Sequence, residues 1–451
     1  MKKIIFSILF VFTLFSCSDD FLENPPATGL SEDKLKDLPS MEALVYGAYH
    51  QARDFAFQSS LYSTAMVRDV EVRNRTEYTQ FFDHQLTTTM TSWMYSQGYS
   101  IAGLLNRIAV SDIGNMDGSQ AKKNAILGDM HFLRAIIYFD LNNFWTLPST
   151  GYSVPLVKEP IGPDDRVSCA HSDDIRESVE QDIEQARTLL KENNGLVADY
   201  YAATAMAARI YFYHEKYDLA YQRANEVIEN GGYALEENVG TPFTAGANSN
   251  ENIFKFQYNS EDGSGLSPVK ELNEAYRAEE AEGFFHLNLN GELAELMLED
   301  TTDARYSAFF TEGASYTYID GKYSTDQMDY VYIRLAEMYL TRAEANIMRN
   351  NSVSQQDVDD INAIRERANP STTLNSIPSK EEALEILYEE RTKELAIEQA
   401  DHFLNVRRLE KGIVQTEQEG GGMKPYSQYK DLLVFPLPEN EVAIHGLSRQ
   451  P

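Results

Sequence analysis

The sequence predicts a mainly α-helical protein made of tetratricopeptide-like helical hairpins, with long irregular insertions and a few short strands. Three observations predict this fold class. Apolar side chains recur at helical spacing along most of the chain. In some of these stretches small and large residues alternate, as they do in the paired helices of repeat proteins. A segment at 231–329 loses the helical pattern and is rich in aromatic residues.

The composition narrows the function before any motif is considered. Of the 451 residues, 43% are hydrophobic, which is enough for a sizeable core and excludes a fully disordered chain. The formal net charge is −31, from 39 basic and 70 acidic residues, and such a surface repels phosphate backbones. We therefore expect no nucleic-acid partner. The two cysteines cannot form a disulfide framework.

The N-terminus has the features of a bacterial signal peptide. Two lysines precede an apolar run over residues 4–15, which is too short to span a bilayer. The sequence Leu-Phe-Ser-Cys at 14–17 resembles a lipobox, and that similarity implies lipidation of Cys17 and removal of residues 1–16 as a lipoprotein signal peptide. An ordinary secretory signal with a chance cysteine is the alternative.

Residues 17–40 are predicted to form a lipid-anchored tether, since they contain three prolines and a glycine. Asp19 and Asp20, close behind the lipid site, resemble a signal for display on the outer face of the outer membrane. Anchoring would rest on the acyl chains, because an acidic protein gains nothing electrostatically from an anionic membrane. With Cys17 acylated, Cys169 stays unpaired, and we expect a buried or inert thiol there.

The helices of the frame are predicted in order along the chain. The first starts at Met41, where apolar spacing begins, and the clearest apolar stripe lies at 121–143. The next opens on acidic residues after Ser172 and stops at an Asn-Asn-Gly run, as helix ends commonly do. The predicted helices are 41–52, 92–110, 121–143, 172–192, a hairpin at 199–230, 330–349, 355–368 and 380–411.

Other segments separate or close these helices. Two prolines and a glycine predict a loop over 146–157, alternation predicts a strand over 252–258, and 432–438 is a short extended segment. An Ala-x-x-Tyr step recurs at unequal separations, which indicates degenerate repeat pairs with insertions between them and not a regular solenoid. The step lies at Ala135/Tyr138, Ala208/Tyr211 and Ala336/Tyr339.

Motifs for catalysis, cofactors or metals are missing from the sequence. No two histidines lie three or four residues apart, so no helical zinc site is visible. No nucleophile elbow, P-loop or dinucleotide-binding fingerprint occurs. The segment 112–118 faintly resembles a calcium loop, but its acids miss the required positions, and a turn between helices is the better interpretation. We predict no catalytic residue, no metal and no cofactor, which favours binding.

Several blocks of sequence, taken together, resemble the SusD/RagB family of outer-membrane nutrient-binding lipoproteins. The similarity covers essentially the whole mature chain, and the blocks follow in the family's order. They are the lipobox with Asp-Phe-Leu at 20–22, Tyr95 and Tyr99 with Asn106, the Phe-Leu-Arg-Ala block at 132–141 with Val-Pro-Leu-Val at 154–157, Asn-Ile-Phe at 252–254, and the blocks at 332–345, 361–368 and 390–398. The chain departs from the family after Glu398, where Gln399 replaces the usual glycine.

The resemblance implies a fold, a role and a partner. It implies a SusD-like fold with a single body at 41–451, a helical repeat frame at about 41–230 and 330–411, and a loop-rich ligand insertion at about 231–329. Such proteins sit as a lid on a SusC-like TonB-dependent barrel in the outer membrane. They capture an oligosaccharide, or a peptide in some members, and deliver it for import without catalysis.

Two regions offer the flat apolar faces and polar groups that sugar recognition needs. One runs from Arg68 to Trp93, and the other lies in the insertion. The candidate ligand residues are Asp69, Arg73, Arg75, Tyr78, Trp93, Phe284, His286, Tyr316, Tyr318 and Tyr323. Core packing is the alternative for each aromatic residue. For the arginines, the alternatives are a solvated face or a site for a carboxylate of a peptide or acidic sugar.

Three functions therefore remain open from the sequence. The first is a surface glycan-binding lipoprotein, and the second is a peptide-binding member of the same family. The third is a lipid-anchored hydrolase or a pure scaffold. The sequence does not name the ligand.

Overall fold

The computed structural model describes residues 35–162, 164–192, 195–257, 270–277, 283–325, 327–416 and 419–449. The predicted signal peptide, the predicted acylation site at Cys17 and most of the predicted tether lie outside the described residues. The described chain is mainly helical and carries short antiparallel strand pairs, which confirms the predicted fold class.

The described helices are numbered in chain order. They are α1 (Leu38–Met66), α2 (Thr76–Phe82), α3 (Ser92–Val110), α4 (Gln120–Trp145), α5 (Ser172–Leu190), α6 (Tyr200–Tyr213), α7 (Tyr217–Asn230), α8 (Lys270–Tyr276), α9 (Glu292–Leu298), α10 (Ala304–Phe309), α11 (Leu335–Asn350), α12 (Gln355–Ala368), α13 (Lys380–Glu394), α14 (Asp401–Arg408) and α15 (Glu439–His445).

The strands form two-stranded antiparallel pairs, β1 with β3, β2 with β6, β4 with β5 and β7 with β8. They are β1 (Val70–Val72), β2 (Asn252–Phe256), β3 (Phe285–Leu287), β4 (Thr311–Glu312), β5 (Thr317–Tyr318), β6 (Tyr330–Arg334), β7 (Ile413–Val414) and β8 (Met423–Lys424).

Helix α1 begins at Leu38, before the predicted start at Met41. Asp37 caps it by accepting a hydrogen bond from the Ser40 backbone at 2.9 Å, and Pro39 sits in the first turn, where its missing N–H costs nothing. Leu38 is buried in the core. The body therefore starts before residue 41, and the predicted tether ends earlier than residue 40. The helix also continues well beyond its predicted end.

The repeat frame is a series of neighbouring helices. Helix α4 packs on α5, α5 on α6, α6 on α7, and α11 on α12. Helix α7 also packs directly on α11, although the whole insertion separates them in the chain. The Ala-x-x-Tyr steps lie on α4, α6 and α11, and their alanines are fully buried. The insertion is thus a loop-rich excursion between two helices that pack together.

Close approach of α4 and α5 depends on a small residue. A Cβ atom added to Gly128 would lie 2.5 Å from Leu190 Cδ2, well inside contact distance. Glycine at this position therefore lets α5 lie against the middle of α4.

Two predicted helices differ from the structure. The stretch predicted as a helix at 330–349 begins with β6, whose β-branched and aromatic residues suit a buried strand paired with β2. The predicted helix at 380–411 is two helices, because the chain between α13 and α14 turns through Ile397 and Gln399, which have positive φ angles. The insertion contains α8 to α10 and β2 to β5, so it is more regular than the pattern indicates.

A buried ionic network joins the insertion to the frame. Arg334, at the end of β6, lies 2.8 Å from Glu251, 2.6 Å from Glu394 and 2.8 Å from Glu398. All four side chains are buried. Buried charges of this kind are tolerated only when they are paired, so the network fixes how the strand pair sits on α13.

Within the described residues, we find no helix with the length and apolar character needed to cross a membrane.

Candidate functional site

The two predicted ligand regions meet in one short antiparallel sheet. Strand β1 pairs with β3, with Val70 opposite Leu287 and Val72 opposite Phe285. The Arg73 backbone extends the pairing by donating to Phe284 O at 2.8 Å. Strand β3 in turn lies against β5, which belongs to the hairpin β4–β5. Residues far apart in the sequence therefore share one surface.

A stack of three side chains is the main feature of this surface. The guanidinium of Arg73 lies 4.6 Å from the centre of the Tyr316 ring. Tyr316 stacks on His286 with ring centres 4.3 Å apart and an interplanar angle of 20°. Arg73 is exposed, Tyr316 is half-buried and His286 is buried. The stack thus runs from the solvent into the core.

Arg75 forms a second cation–π contact beside the first. Its guanidinium lies 5.1 Å from the centre of the Phe284 ring, and it also pairs with Glu77 at 3.4 Å. Phe284 is buried and stacks on Tyr78 with ring centres 5.0 Å apart. Both exposed arginines are therefore supported from below by aromatic rings. We name the area formed by Arg73, Arg75 and Tyr316 the arginine–tyrosine surface.

The hairpin β4–β5 presents Tyr316, and a glycine makes this possible. Gly313 N donates to Tyr316 O at 2.8 Å, which closes the turn. A Cβ atom at Gly313 would lie 2.6 Å from the Tyr318 ring on β5, so a larger residue would collide with that ring and distort the hairpin. The sequence analysis missed Gly313. The feature that could have indicated it is a single glycine between two runs of aromatic and polar residues.

His286 is uncharged at neutral pH in this setting. Burial lowers the pKa of its imidazole, and the positive charge of Arg73 lowers it further. Its Nε2 atom is buried and has no hydrogen-bond partner among the described residues. The ring acts as a flat neutral platform under Tyr316.

Six of the ten candidate residues are buried, and their side chains are not accessible to a ligand in this structure. They are Asp69, Tyr78, Phe284, His286, Tyr318 and Tyr323, none more than 6% exposed. Tyr323 stacks between Tyr276 and Tyr330 in the core, and Tyr318 packs its edge on His286. For the five rings among them the structure corresponds to the packing alternative, because these rings are buried against other core residues.

Asp69 belongs to a buried ionic cluster and not to the surface. His402 Nδ1 lies 2.8 Å from Asp69 Oδ2, and His402 Nε2 lies 3.4 Å from Glu292. Burial opposes a charged imidazole, but the two carboxylates prevail and raise the pKa of His402 to about 10. Asp69 therefore anchors the start of β1 to α14 and so positions the arginine–tyrosine surface.

Trp93 stands apart from the other candidates. It lies in the first turn of α3 and is 45% exposed. Among the described residues, no ring contact joins it to the arginine–tyrosine surface. The four accessible candidates are thus Arg73, Arg75 and Tyr316, which lie together, and Trp93, which does not join them.

Metal ligands and a reactive thiol are two kinds of group that would support chemistry beyond binding. No cluster of three or more His, Cys, Asp or Glu side chains there is arranged to hold a metal ion. Cys169 is a buried thiol whose pKa is raised by burial, so it is a poor nucleophile. The segment that faintly resembles a calcium loop contains a short 3-10 helix at Ile113–Asn115 between α3 and α4.

Two protein-family models match parts of the chain. The model of the SusD family matches residues 299–442. A second, SusD-like model, described as "starch-binding associating with outer membrane", matches residues 20–212. Two separate parts of the chain therefore match models of SusD proteins. Residues 213–298, which include most of the insertion, lie outside both matches.

One curated protein and two solved structures show the same similarity to SusD proteins. A SusD-like protein of Bacteroides ovatus is 25% identical, over 84% of this chain and 79% of the relative. A SusD superfamily crystal structure from Bacteroides thetaiotaomicron superposes with a TM-score of 0.79 at 19% identity, covering 92% of this chain and all of the other. A SusD-like carbohydrate binding protein of Bacteroides vulgatus has a TM-score of 0.73 at 16% identity, covering 92% and 98%. At these identities the structures show a shared fold.

Proposed function

We propose that this protein is a cell-surface lipoprotein of the outer membrane that binds an oligosaccharide and delivers it to a SusC-like TonB-dependent transporter. The observation that carries the proposal is the arginine–tyrosine surface, where Arg73 and Arg75 project over aromatic rings. The match to the SusD family model at residues 299–442 supports it, as does the description of the family model that matches residues 20–212. Lipidation at Cys17 supplies the anchor.

The surface suits a neutral polar ligand because it combines ring faces with forked donors. An exposed cation–π contact is worth only about 0.5–1 kcal/mol, so a sugar ring can replace the Arg73 guanidinium on Tyr316 at little cost. The displaced guanidinium then donates to pairs of sugar hydroxyls, which its planar fork matches. The rings beneath are fixed by packing, so binding requires little ordering of the protein.

The affinity expected of such a shallow surface is modest. A ligand that covers one or two rings and a few donors should bind with Kd of roughly micromolar to millimolar, equivalent to about −4 to −8 kcal/mol. Weak binding suits a protein that must release its cargo to a transporter.

A peptide ligand is the second candidate function, and the paired arginines favour it. Two guanidinium groups on one surface of a chain with net charge −31 can hold a carboxylate. Salt dependence separates the two: a neutral glycan should bind equally at low and high ionic strength, whereas a peptide carboxylate should bind more weakly as salt rises.

The experiment that tests the proposal screens purified protein against oligosaccharides and peptides by array and calorimetry. We expect binding of one glycan class, with the ligand recovered unchanged when the mixture is chromatographed. Hydrolysis of the bound ligand would contradict a pure binding role, and binding of peptides alone would select the second candidate.

Copurification of a TonB-dependent barrel from outer membranes tests the transporter partner. If no such barrel copurifies, the delivery of the ligand to a transporter is removed from the proposal.

A further inference from the structure

A polar pocket of about 280 Å³ lies in the helical frame, where the end of α4, the start of α5 and the ends of α6 and α14 meet. None of its lining residues belongs to the arginine–tyrosine surface. Its basic lining residues are Arg176, Arg407 and Arg408. The pocket therefore gathers three guanidinium groups in a protein that is strongly acidic overall.

Arg407 is half-buried and lacks the carboxylate partner that Arg209 and Arg305 have. It donates to the backbone carbonyl oxygens of Asn143 and Thr146, and its guanidinium lies over the Phe403 ring at 5.4 Å. No carboxylate of the described residues forms an ion pair with it within 4.0 Å. By contrast, Arg209 reaches Glu337 at 2.5 Å and Arg305 reaches Glu390 at 2.9 Å.

Arg176 adds a second positive charge to the pocket, and no carboxylate of the described residues pairs with it. Its Nε atom is buried and has no hydrogen-bond partner among the described residues, and it also forms no ion pair with them. Burial lowers the pKa of Arg407, and the nearby charge of Arg176 lowers it further, although Tyr426 acts in the opposite direction. Two like charges share the pocket, and each would be stabilised by an anion between them.

The other charged groups of the pocket do not supply that anion. Arg408 is already paired, since its guanidinium lies 2.6 Å from Glu344. Glu215 and Glu410 are exposed at the rim, and neither comes within 4.0 Å of Arg176 or Arg407. The side-chain amide of Asn143 also lines the pocket, and its Nδ2 is a buried donor without an acceptor in the described residues. Arg176 Nε and Asn143 Nδ2 are thus two buried donors of pocket residues that have no acceptor among the described residues.

We propose that this pocket is an oxyanion site, which binds a sulfate group or a sugar carboxylate between Arg176 and Arg407 with the Asn143 amide as a third donor. Planar guanidinium groups match the geometry of these anions and bind them through paired, charge-assisted hydrogen bonds. The volume is below that of most drug-sized sites, so the ligand is a single anionic group or one sugar residue. The site is independent of the ligand bound at the arginine–tyrosine surface.

Calorimetric titration with sodium sulfate and with sodium glucuronate tests this inference, with sodium chloride at equal ionic strength and glucose as comparisons. The two anions distinguish a free inorganic oxyanion from an acidic sugar, and binding of either, with none for chloride or glucose, is expected. In Arg176→Gln the affinity should fall about tenfold or more, because one charge-assisted hydrogen bond is lost. Arg166→Gln removes the same charge from an exposed site and should leave the affinity unchanged.

Arg407→Gln should abolish binding, but it also removes bonds to the backbone of α4 and the following loop and so can impair folding. Arg176→Gln carries the test in that case, since no side-chain hydrogen bond of Arg176 to described residues is lost. Failure of both anions to bind the wild type would overturn the proposal. So would equal affinity in the wild type and in a folded Arg176→Gln variant.

Discussion

His402 is the residue that ties the site-bearing strand to the body of the protein. Its two ring nitrogens lie 2.8 Å from Asp69 and 3.4 Å from Glu292, and Tyr388 donates to Glu292 at 2.7 Å. A buried ion pair adds little net stability compared with an apolar substitute. Loss of one partner, however, leaves the other charge buried without a counter-charge, which is strongly destabilising. The cluster therefore acts by fixing geometry at the start of β1.

Replacing His402 tests this structural role for Asp69. His402→Gln should lower the free energy of unfolding at pH 7 by about 3–5 kcal/mol, because Asp69 is left charged and buried. The double variant Asp69→Asn/His402→Gln should recover part of that loss, since the buried charge of Asp69 is then removed as well. Urea denaturation of the three proteins measures the effect. Equal stability of His402→Gln and wild type would contradict the ionic cluster.

The same pair gives a pH dependence with a definite sign. Because the folded pKa of His402 is raised to about 10, its contribution is full below the unfolded value near 6.5 and is lost as pH rises through about 10. The stability advantage of wild type over His402→Gln should therefore shrink by about 1.4 kcal/mol per pH unit between pH 7 and 9. An advantage that grows with pH would contradict the assignment.

At the scale of single residues, the sequence could identify candidate ligand residues but could not distinguish the exposed ones from the buried ones. Arg73 and Tyr316 were singled out because arginines and aromatic residues cluster in two non-repetitive regions. Asp69 and Tyr323 share those regions and the same residue types, yet they are buried in partner networks that only the folded chain brings together. Gln399 has a φ of 46° at a position where the family usually has glycine. The local sequence does not indicate this left-handed backbone conformation.

At the scale of elements, the hairpin α6–α7 shows why small residues recur in the frame. Ala207 and Ala208 are fully buried on α6, and Ala220 and Ala224 are fully buried on α7. Small side chains let neighbouring helices approach closely, and the tyrosines and Val227 fill the remaining space. The alternation of small and large residues was readable in the sequence for this reason.

Overpacking the hairpin tests that interpretation. Ala208→Leu should destabilise the protein by about 1–3 kcal/mol, because the core has no room for the added atoms. Ala121→Leu, at an exposed position on α4, is the matched control and should change the stability little. Thermal unfolding of both variants measures the difference. An unchanged melting temperature in Ala208→Leu would show that the hairpin packs differently.

The limits of elements were less predictable than their existence. Helices with strong apolar stripes, such as α3, α4 and α12, agree closely with the predicted ranges. Strand β6 was predicted as part of a helix because a continuous apolar run has no distinguishing period. Its pairing with β2, more than seventy residues earlier in the chain, decides its conformation, and that contact is not local.

For the whole molecule, the helical frame continues across the insertion. Helix α7 packs on α11 although the insertion separates them in the chain, so the helices on its two sides form one packed series. The net charge of −31 is spread over a large surface, and its influence on an uncharged ligand is small at physiological salt, where the Debye length is about 8 Å. Recognition therefore depends on local groups.

The most direct test of the central claim is a calorimetric titration with the oligosaccharide selected by the screen, at two salt concentrations. The double variant Arg73→Gln/Tyr316→Ala should bind at least about tenfold more weakly than wild type, because stacking and charge-assisted donors are both lost. The control Arg166→Gln/Tyr46→Ala removes the same types of side chain from exposed positions elsewhere and should bind like wild type. Undiminished affinity in a folded Arg73→Gln/Tyr316→Ala variant would contradict the account.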